Sequence, residues 1–163
     1  MESQWQIRRF GEWLPFTPDE PVMHVSWHEA QAYCRWAKRR LPSEAEWEMA
    51  ASMNNTLTQK RRYPWRDDPT QATAPASPHQ ANLDAQFKGP VATHACAAGD
   101  SAWGLRQMLG NVWEWTESRF LPYAGFSADP YVEYSAPWFV EDHRVLRGGS
   151  FATPLRLIRT SWR

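Results

Sequence analysis

Eleven tryptophans and thirteen prolines in 163 residues, set against eight glycines, constrain this chain more than any other feature. Each proline fixes φ and removes a backbone donor, so a chain cut this often cannot run long helices or central strands. Each indole brings a large apolar surface from one position. The expectation is a loop-rich domain whose core rests on a few aromatic anchors, with sparse regular structure. No repeat of fixed period is visible, which excludes solenoids and propellers.

The length supports one core, and one domain is the default. Lys plus Arg and Asp plus Glu are both 18, so no global field draws the chain to nucleic acid or an anionic membrane. The basic clusters Lys38-Arg-Arg40 and Lys60-Arg-Arg62 are local, the first at the end of a helical pattern and the second in a polar stretch. No apolar run of membrane-spanning length exists, and Met1 to Glu12 lacks the apolar centre of a signal peptide. Two cysteines, Cys34 and Cys96, form neither a disulfide framework nor a zinc pattern, and a cytoplasmic location is expected.

Val22 to Val25 reads as a short strand leading into a helix capped by Ser26, with Glu29 completing a capping box. That helix should end near Arg39 and pack broadly through a stripe of Trp27, Ala30, Gln31, Cys34 and Ala37, flanked by Tyr33 and Trp36. Cys34 on this stripe reads as a buried small hydrophobe. Leu41 and Pro42 break the pattern, and Ser43 with Glu46 opens a second helix carrying Trp47 and Ala51. Asn54 to Asp84 is polar, carries Pro64, Pro69, Pro75 and Pro78, and reads as a long surface loop pinned at Tyr63 and Trp65.

From Gly89 onward short strands and turns are expected to alternate, at Pro90–Thr93, Gln107–Leu109 and Val112–Thr116. In the last of these, Trp113 and Trp115 share one face and at least one of them should be almost fully buried, with Glu114 on the other face. Arg144 to Arg147 is a short strand ended by Gly148 and Gly149, and Leu155 to Trp162 has room for one more. Residues 1–20 read as a lead-in segment and residues 21–163 as the domain.

Four stretches in order, Pro21-Val-Met-His-Val-Ser-Trp-His-Glu-Ala, Arg40-Leu-Pro-Ser-Glu-Ala-Glu-Trp-Glu, Gly110-Asn-Val-Trp-Glu-Trp-Thr and Leu146-Arg-Gly-Gly-Ser-Phe, resemble the formylglycine-generating-enzyme, or sulfatase-modifying-factor, superfamily. The resemblance implies an α+β domain of modified C-type-lectin-like fold. Members include formylglycine generators, the carboxy-terminal domains of iron-dependent sulfoxide synthases of ergothioneine and selenoneine formation, and lectin-like modules that only bind. The formylglycine generators use a cysteine pair after their Arg-Gly-Gly-Ser, and Phe151 to Arg163 contains no cysteine.

Asp129-Pro-Tyr-Val-Glu-Tyr-Ser-Ala-Pro-Trp-Phe, followed by Asp142-His-Arg-Val-Leu-Arg-Gly-Gly-Ser, is similar to the sulfoxide-synthase branch. That resemblance implies catalysis by Tyr131 as proton donor and substrate contact by Tyr134, a phenol offering an apolar face to a methylated cation and a hydroxyl to donate. The alternative for both is a half-buried loop anchor. The resemblance further implies Fe(II) held outside this chain, by a histidine-bearing helical-bundle domain or subunit, with trimethylated histidine and a thiol or selenol donor as substrates. His24, His28, His79, His94 and His143 are scattered, and His24 precedes the Ser26 cap, so no metal site is expected among them. Glu114 is either paired in the core or a ligand of a structural calcium such as relatives carry. Relatives continue beyond the Thr160-Ser-Trp-Arg163 match, so the expectation is a domain truncated at its carboxy-terminal end and inactive alone. A non-enzymatic lectin-like binding module is the alternative, and formylglycine generation a remote one.

Overall fold

The structure is a computed structural model that describes residues 5–65 and 77–163. The expected loop 54–84 lies partly outside the described residues. Among the described residues the strands and α-helices are, in chain order, β1 (Gln6–Arg9), β2 (Glu12–Pro15), α1 (Trp27–Trp36), α2 (Glu44–Ser52), β3 (Glu114–Arg119) and β4 (Arg144–Arg147). They make two antiparallel two-stranded sheets, β1–β2 and β3–β4, beside two short helices, a small α+β arrangement in which loops carry most of the chain. No described helix is long and apolar enough to cross a membrane.

Local chemistry sets both helix starts. Ser26 accepts from the Glu29 amide while the Glu29 carboxylate accepts from the Ser26 amide, and Ser43 and Glu46 do the same for α2. The first helix stops at Trp36 rather than near Arg39, because Lys38 turns left-handed (φ 54°) and the Arg39 amide reaches back to the Cys34 carbonyl. The expected stripe is the partly covered face, Cys34 included, but no residue of α1 is fully buried, and Tyr33 and Trp36 are exposed.

The second helix is the centre of the core. Trp47 and Ala51 are buried against Tyr63, Leu83, Met108 and Ile158. The stretch read as a surface loop therefore ends in the core: Ala81, Asn82 and Leu83 are buried, as are Tyr63 and Pro64. Asn82 can be buried because its amide donates to the Gly89 carbonyl and to Asn111 Oδ1, and the Asn111 amide meets Val91 through both its oxygen and its nitrogen. This amide network replaces the strands expected at 90–93 and 107–109. Gln107 and Asn111 take positive φ, 56° and 62°, which no strand tolerates, and Gln107 donates to the carbonyls of Ala92 and Ala95. The strand expected at 22–25 is likewise interrupted by His24 at φ 60°. Residues 155–162 form turns with bonds three residues back, such as Trp162 N–H to the Arg159 carbonyl, instead of a strand.

The expected strand at 144–147 is present, paired with β3 at Glu114↔Arg147, Trp115↔Leu146 and Arg119↔Arg144, with a bulge between Trp115 and Arg119. Gly148 and Gly149 end it at φ 91° and 76°. A Cβ on Gly149 would lie 2.7 Å from the Ile158 side chain, so glycine is required there by space as well as by conformation.

Arg147 is fully buried. Its guanidinium pairs with Glu44 (3.1 Å) and Glu48 (2.5 Å) from α2, donates to the carbonyls of Thr160 and Ser161, and lies 5.1 Å over the Trp47 ring. Beside it, the Trp47 indole donates to Glu114 Oε2 at 2.6 Å, so the observed partner of Glu114 is a core indole. Trp113 and Trp115 are only half-buried, contrary to expectation, since both stand on the sheet face away from this core.

Two outcomes follow. Replacing Arg147 by Met removes the buried cation shared by two partly buried carboxylates, leaving Glu44 with Arg163 and Glu48 with Lys60, and should lower unfolding free energy by about 3–5 kcal/mol. Arg40→Met, which breaks the exposed Arg40–Glu46 pair and an exposed contact to the Leu41 carbonyl, should leave the denaturant midpoint close to wild type. Equal shifts for the two variants would show that the buried network does not hold the fold.

The second outcome concerns pH. Burial raises the Glu114 pKa above the usual 4.5, opposed in part by the Trp47 hydrogen bond. The native state thus holds this proton more tightly than the unfolded chain, and the stability it contributes is lost as pH rises above 4.5. Glu46 behaves oppositely: the Arg40 hydrogen bond and the capping amide lower it to about 2, so its contribution is lost as pH falls from 4.5 toward that value. In denaturation measured across pH, Glu114→Gln should flatten the decline above 4.5 and Glu46→Gln the decline below it. An unchanged slope in Glu114→Gln would contradict the burial of this carboxyl.

Candidate functional site

Strand alternation divides β4 between two environments. Val145 and Arg147 point into the core, while Arg144 and Leu146 are half-buried on the other face. Trp113 and Trp115 stand on that outer side. The segment before α1 is fastened across it by two indoles: Trp115 donates to the Val25 carbonyl at 3.1 Å and Trp27 to the Thr116 carbonyl at 2.9 Å. Two clefts open here and share Trp113 and Leu146. One, about 250 Å³, reaches Val25 and Phe151. The other, about 330 Å³, is walled by Trp113, Phe120 and Trp138, with Arg144 and Arg163 on its lining.

A larger cleft of about 700 Å³ lies along α2 beside Met49 and Leu57. Its carboxylates are already committed, Glu44 to Arg147, Arg163 and Tyr123, and Glu48 to Arg147 and Lys60. The Tyr123 phenol is pushed above its usual range by burial and by its bond to Glu44. The aromatic cleft is therefore the better candidate for a ligand: it combines ring faces with cationic groups and adjoins the loop singled out in the sequence.

That loop is held by aromatic packing. Phe139 meets Phe120 at 5.3 Å and Phe126 at 5.2 Å. Two 3-10 turns, Val132–Tyr134 and Ala136–Trp138, follow each other directly. The Trp138 ring stacks at 19° to the His143 ring, His143 Nδ1 lies 2.8 Å from the Trp138 carbonyl, and the Trp138 indole donates to the Glu133 carbonyl at 3.0 Å. Trp138 thus ties the tyrosine-bearing turn to the cleft wall.

Tyr131 and Tyr134 are brought together, their rings edge-to-face at 5.9 Å. They are 71% and 84% exposed, standing on the turn beside the cleft rather than among the residues that line it. The half-buried anchor alternative does not describe them. Sequence reasoning missed Trp138, Arg144 and Arg163. The period-2 pattern of the strand at 144–147 was the signal available for Arg144, whereas Arg163 joins the cleft only through tertiary packing, its guanidinium lying 4.7 Å over Phe120 and 3.9 Å over Tyr123. Among the described residues no three of His, Cys, Asp and Glu gather where they could hold a metal ion. Cys34 and Cys96 are free thiols, each half-buried.

Known proteins resemble the chain in sequence. The chain is 46% identical over 156 residues to a hercynine oxygenase of Mycobacterium tuberculosis, covering 95% of this chain and 35% of that protein. It is 43% identical over 159 residues to a hercynine oxygenase of Mycolicibacterium smegmatis, covering 95% and 36%. Against a formylglycine-generating enzyme of Bos taurus identity is 34% over 145 residues, covering 82% and 36%. The chain thus spans about a third of the length of these relatives. The family model described as the sulfatase-modifying factor enzyme 1-like domain matches residues 2–163, and the chain belongs to that family.

Proposed function

We propose that the chain is the carboxy-terminal, substrate-lining domain of a non-haem-iron sulfoxide synthase of the ergothioneine type, or of its selenoneine-forming relatives. Its substrate is a trimethylated histidine, joined to a thiol or selenol donor through a new carbon–sulfur or carbon–selenium bond. The observation that carries this reading is the similarity to hercynine oxygenases over 95% of the chain, at 46% and 43% identity. In the same reading the α+β scaffold is the modified C-type-lectin-like one, and residues 21–163 are its body.

The chemistry of the aromatic cleft supports it. The faces of Trp113, Phe120 and Trp138 suit a quaternary ammonium group, which indole and phenyl quadrupoles attract. A volume of about 330 Å³ suits a ligand of amino-acid size. Beside it, Tyr134 contacts the substrate and Tyr131 donates a proton from its phenolic oxygen. Their exposure leaves both hydroxyls open on the face where a second domain would close over the cleft.

Ferrous iron does not fit the described residues, which bring no three suitable ligands together. The reading therefore assigns iron to a histidine-bearing helical-bundle domain or subunit, and to this chain the tasks of binding, orienting and protonating. Formylglycine generation has less in its favour: the resemblance asks for a cysteine pair after Arg147-Gly-Gly-Ser150, and the cysteines present are Cys34 and Cys96.

The test is reconstitution with a histidine-bearing helical domain, iron, the trimethylated histidine and a thiol. Tyr131→Phe keeps the ring and removes the hydroxyl, so binding of the methylated histidine should match wild type. Product formation should fall by about a hundredfold or more. A wild-type rate and product ratio in this variant would remove Tyr131 from the chemistry.

A further inference from the structure

Arg144 is placed differently from the other arginines of its neighbourhood. Arg147 is neutralised by Glu44 and Glu48, Arg163 pairs with Glu44, and Arg119 with Glu141. Arg144 has no carboxylate within ion-pair distance among the described residues. One terminal nitrogen, Nη1, is spent on the carbonyls of Glu141 (2.6 Å) and His143 (3.3 Å). Its Nε is buried with no hydrogen-bond partner. The plane is held 4.6 Å over the Trp27 ring. Its Nη2 has no acceptor from the described residues, and the side chain lines the aromatic cleft.

A partly buried guanidinium without a counter-ion is costly, and its most favourable partner is a planar carboxylate. In this cleft it also has a consequence for cations. The ring faces attract a quaternary ammonium, but an uncompensated positive charge on the same lining repels one that enters alone. A zwitterion satisfies both: its ammonium meets the rings while its carboxylate neutralises the arginine. Stacking on Trp27 and the two carbonyl contacts fix the guanidinium before any ligand arrives, so little ordering is lost on binding.

We infer that Arg144 is the carboxylate-recognising residue of this cleft, the group that makes the site select an amino-acid betaine over a simple quaternary ammonium compound. The inference rests on the betaine-binding reading of the cleft proposed above and adds to it the residue that sets specificity.

The test compares two probes on the 163-residue protein, trimethylated histidine and its decarboxylated counterpart, trimethylated histamine, by tryptophan fluorescence and calorimetry. Wild type should prefer the betaine by roughly ten- to hundredfold, the range for one charge-assisted hydrogen-bonded contact. Arg144→Gln should bind the two probes about equally, losing affinity for the betaine and not for the amine. Arg144→Lys, which keeps the charge without the planar fork, should retain part of the preference. An Arg144→Gln variant with the wild-type preference overturns the assignment and leaves the betaine reading intact. A folded wild-type protein that binds neither probe overturns the reading itself and the inference with it. If Arg144→Gln fails to fold, the wild-type preference measured against salt decides: it should shrink as ionic strength rises, and a preference indifferent to salt overturns the role of charge.

Discussion

The buried guanidinium of Arg147 is the interaction on which the architecture turns. A charge with no solvent contact is costly unless it is paired, and here two carboxylates of α2 and two carbonyls of the carboxy-terminal segment meet the two terminal nitrogens of Arg147, leaving Nε without an acceptor among the described residues. One side chain thereby fastens β4 to the second helix and to the last turns of the chain. The Trp47 ring closes the site from one side, and its indole holds Glu114 from the strand paired with β4. The adjacent glycines complete the arrangement: Gly149 brings the backbone so close to Ile158 that a Cβ would lie 2.7 Å away, and Gly148 turns beside Trp47 at φ 91°.

The same two strands create the candidate site by facing two ways. Inward residues of β4 join the charge network and the core, and outward residues line the aromatic cleft. A change on the inner face therefore acts on the core, and one on the outer face on the lining of the cleft. The tryptophans follow this division in an unexpected manner. Trp47 alone among the eleven is fully buried. Trp27, Trp115 and Trp138 are less covered and serve as fasteners: the first two donate the indole N–H to a carbonyl of a distant segment, and Trp138 to the Glu133 carbonyl within its own loop. Their value to the fold lies as much in that one polar atom as in apolar area.

Tyr131 and Tyr134 were singled out through the family resemblance, and the structure sets them side by side on one turn. Arg144 was visible as a strand residue, but nothing in its neighbours along the chain reveals that it lacks a counter-ion. That property is settled in three dimensions: Glu44 and Glu48 pair with Arg147, which points to the opposite side of β4, and Glu141 pairs with Arg119. The rings of the aromatic cleft come from segments as far apart as Trp113 and Trp138, and only packing gathers them.

The helices show what the sequence by itself determined. Ser26 with Glu29 and Ser43 with Glu46 start them through bonds three residues apart, and Gly148-Gly149 ends β4 through backbone freedom, all of it chemistry within a few residues. The fold family was equally legible in four short stretches. Tertiary structure decided the rest. Ala81 to Leu83 looks like polar loop and is core, because Asn82 finds its partners in Asn111 and the Gly89 carbonyl, distant in the chain. Residues 107–109 look like a strand and are irregular, with Gln107 at positive φ and its amide spent on the Ala92 and Ala95 carbonyls, and residues 155–162 look like a strand and are turns closed by local bonds. A buried backbone group must be paired, but the sequence does not say with whom; the partner is chosen only when distant segments meet.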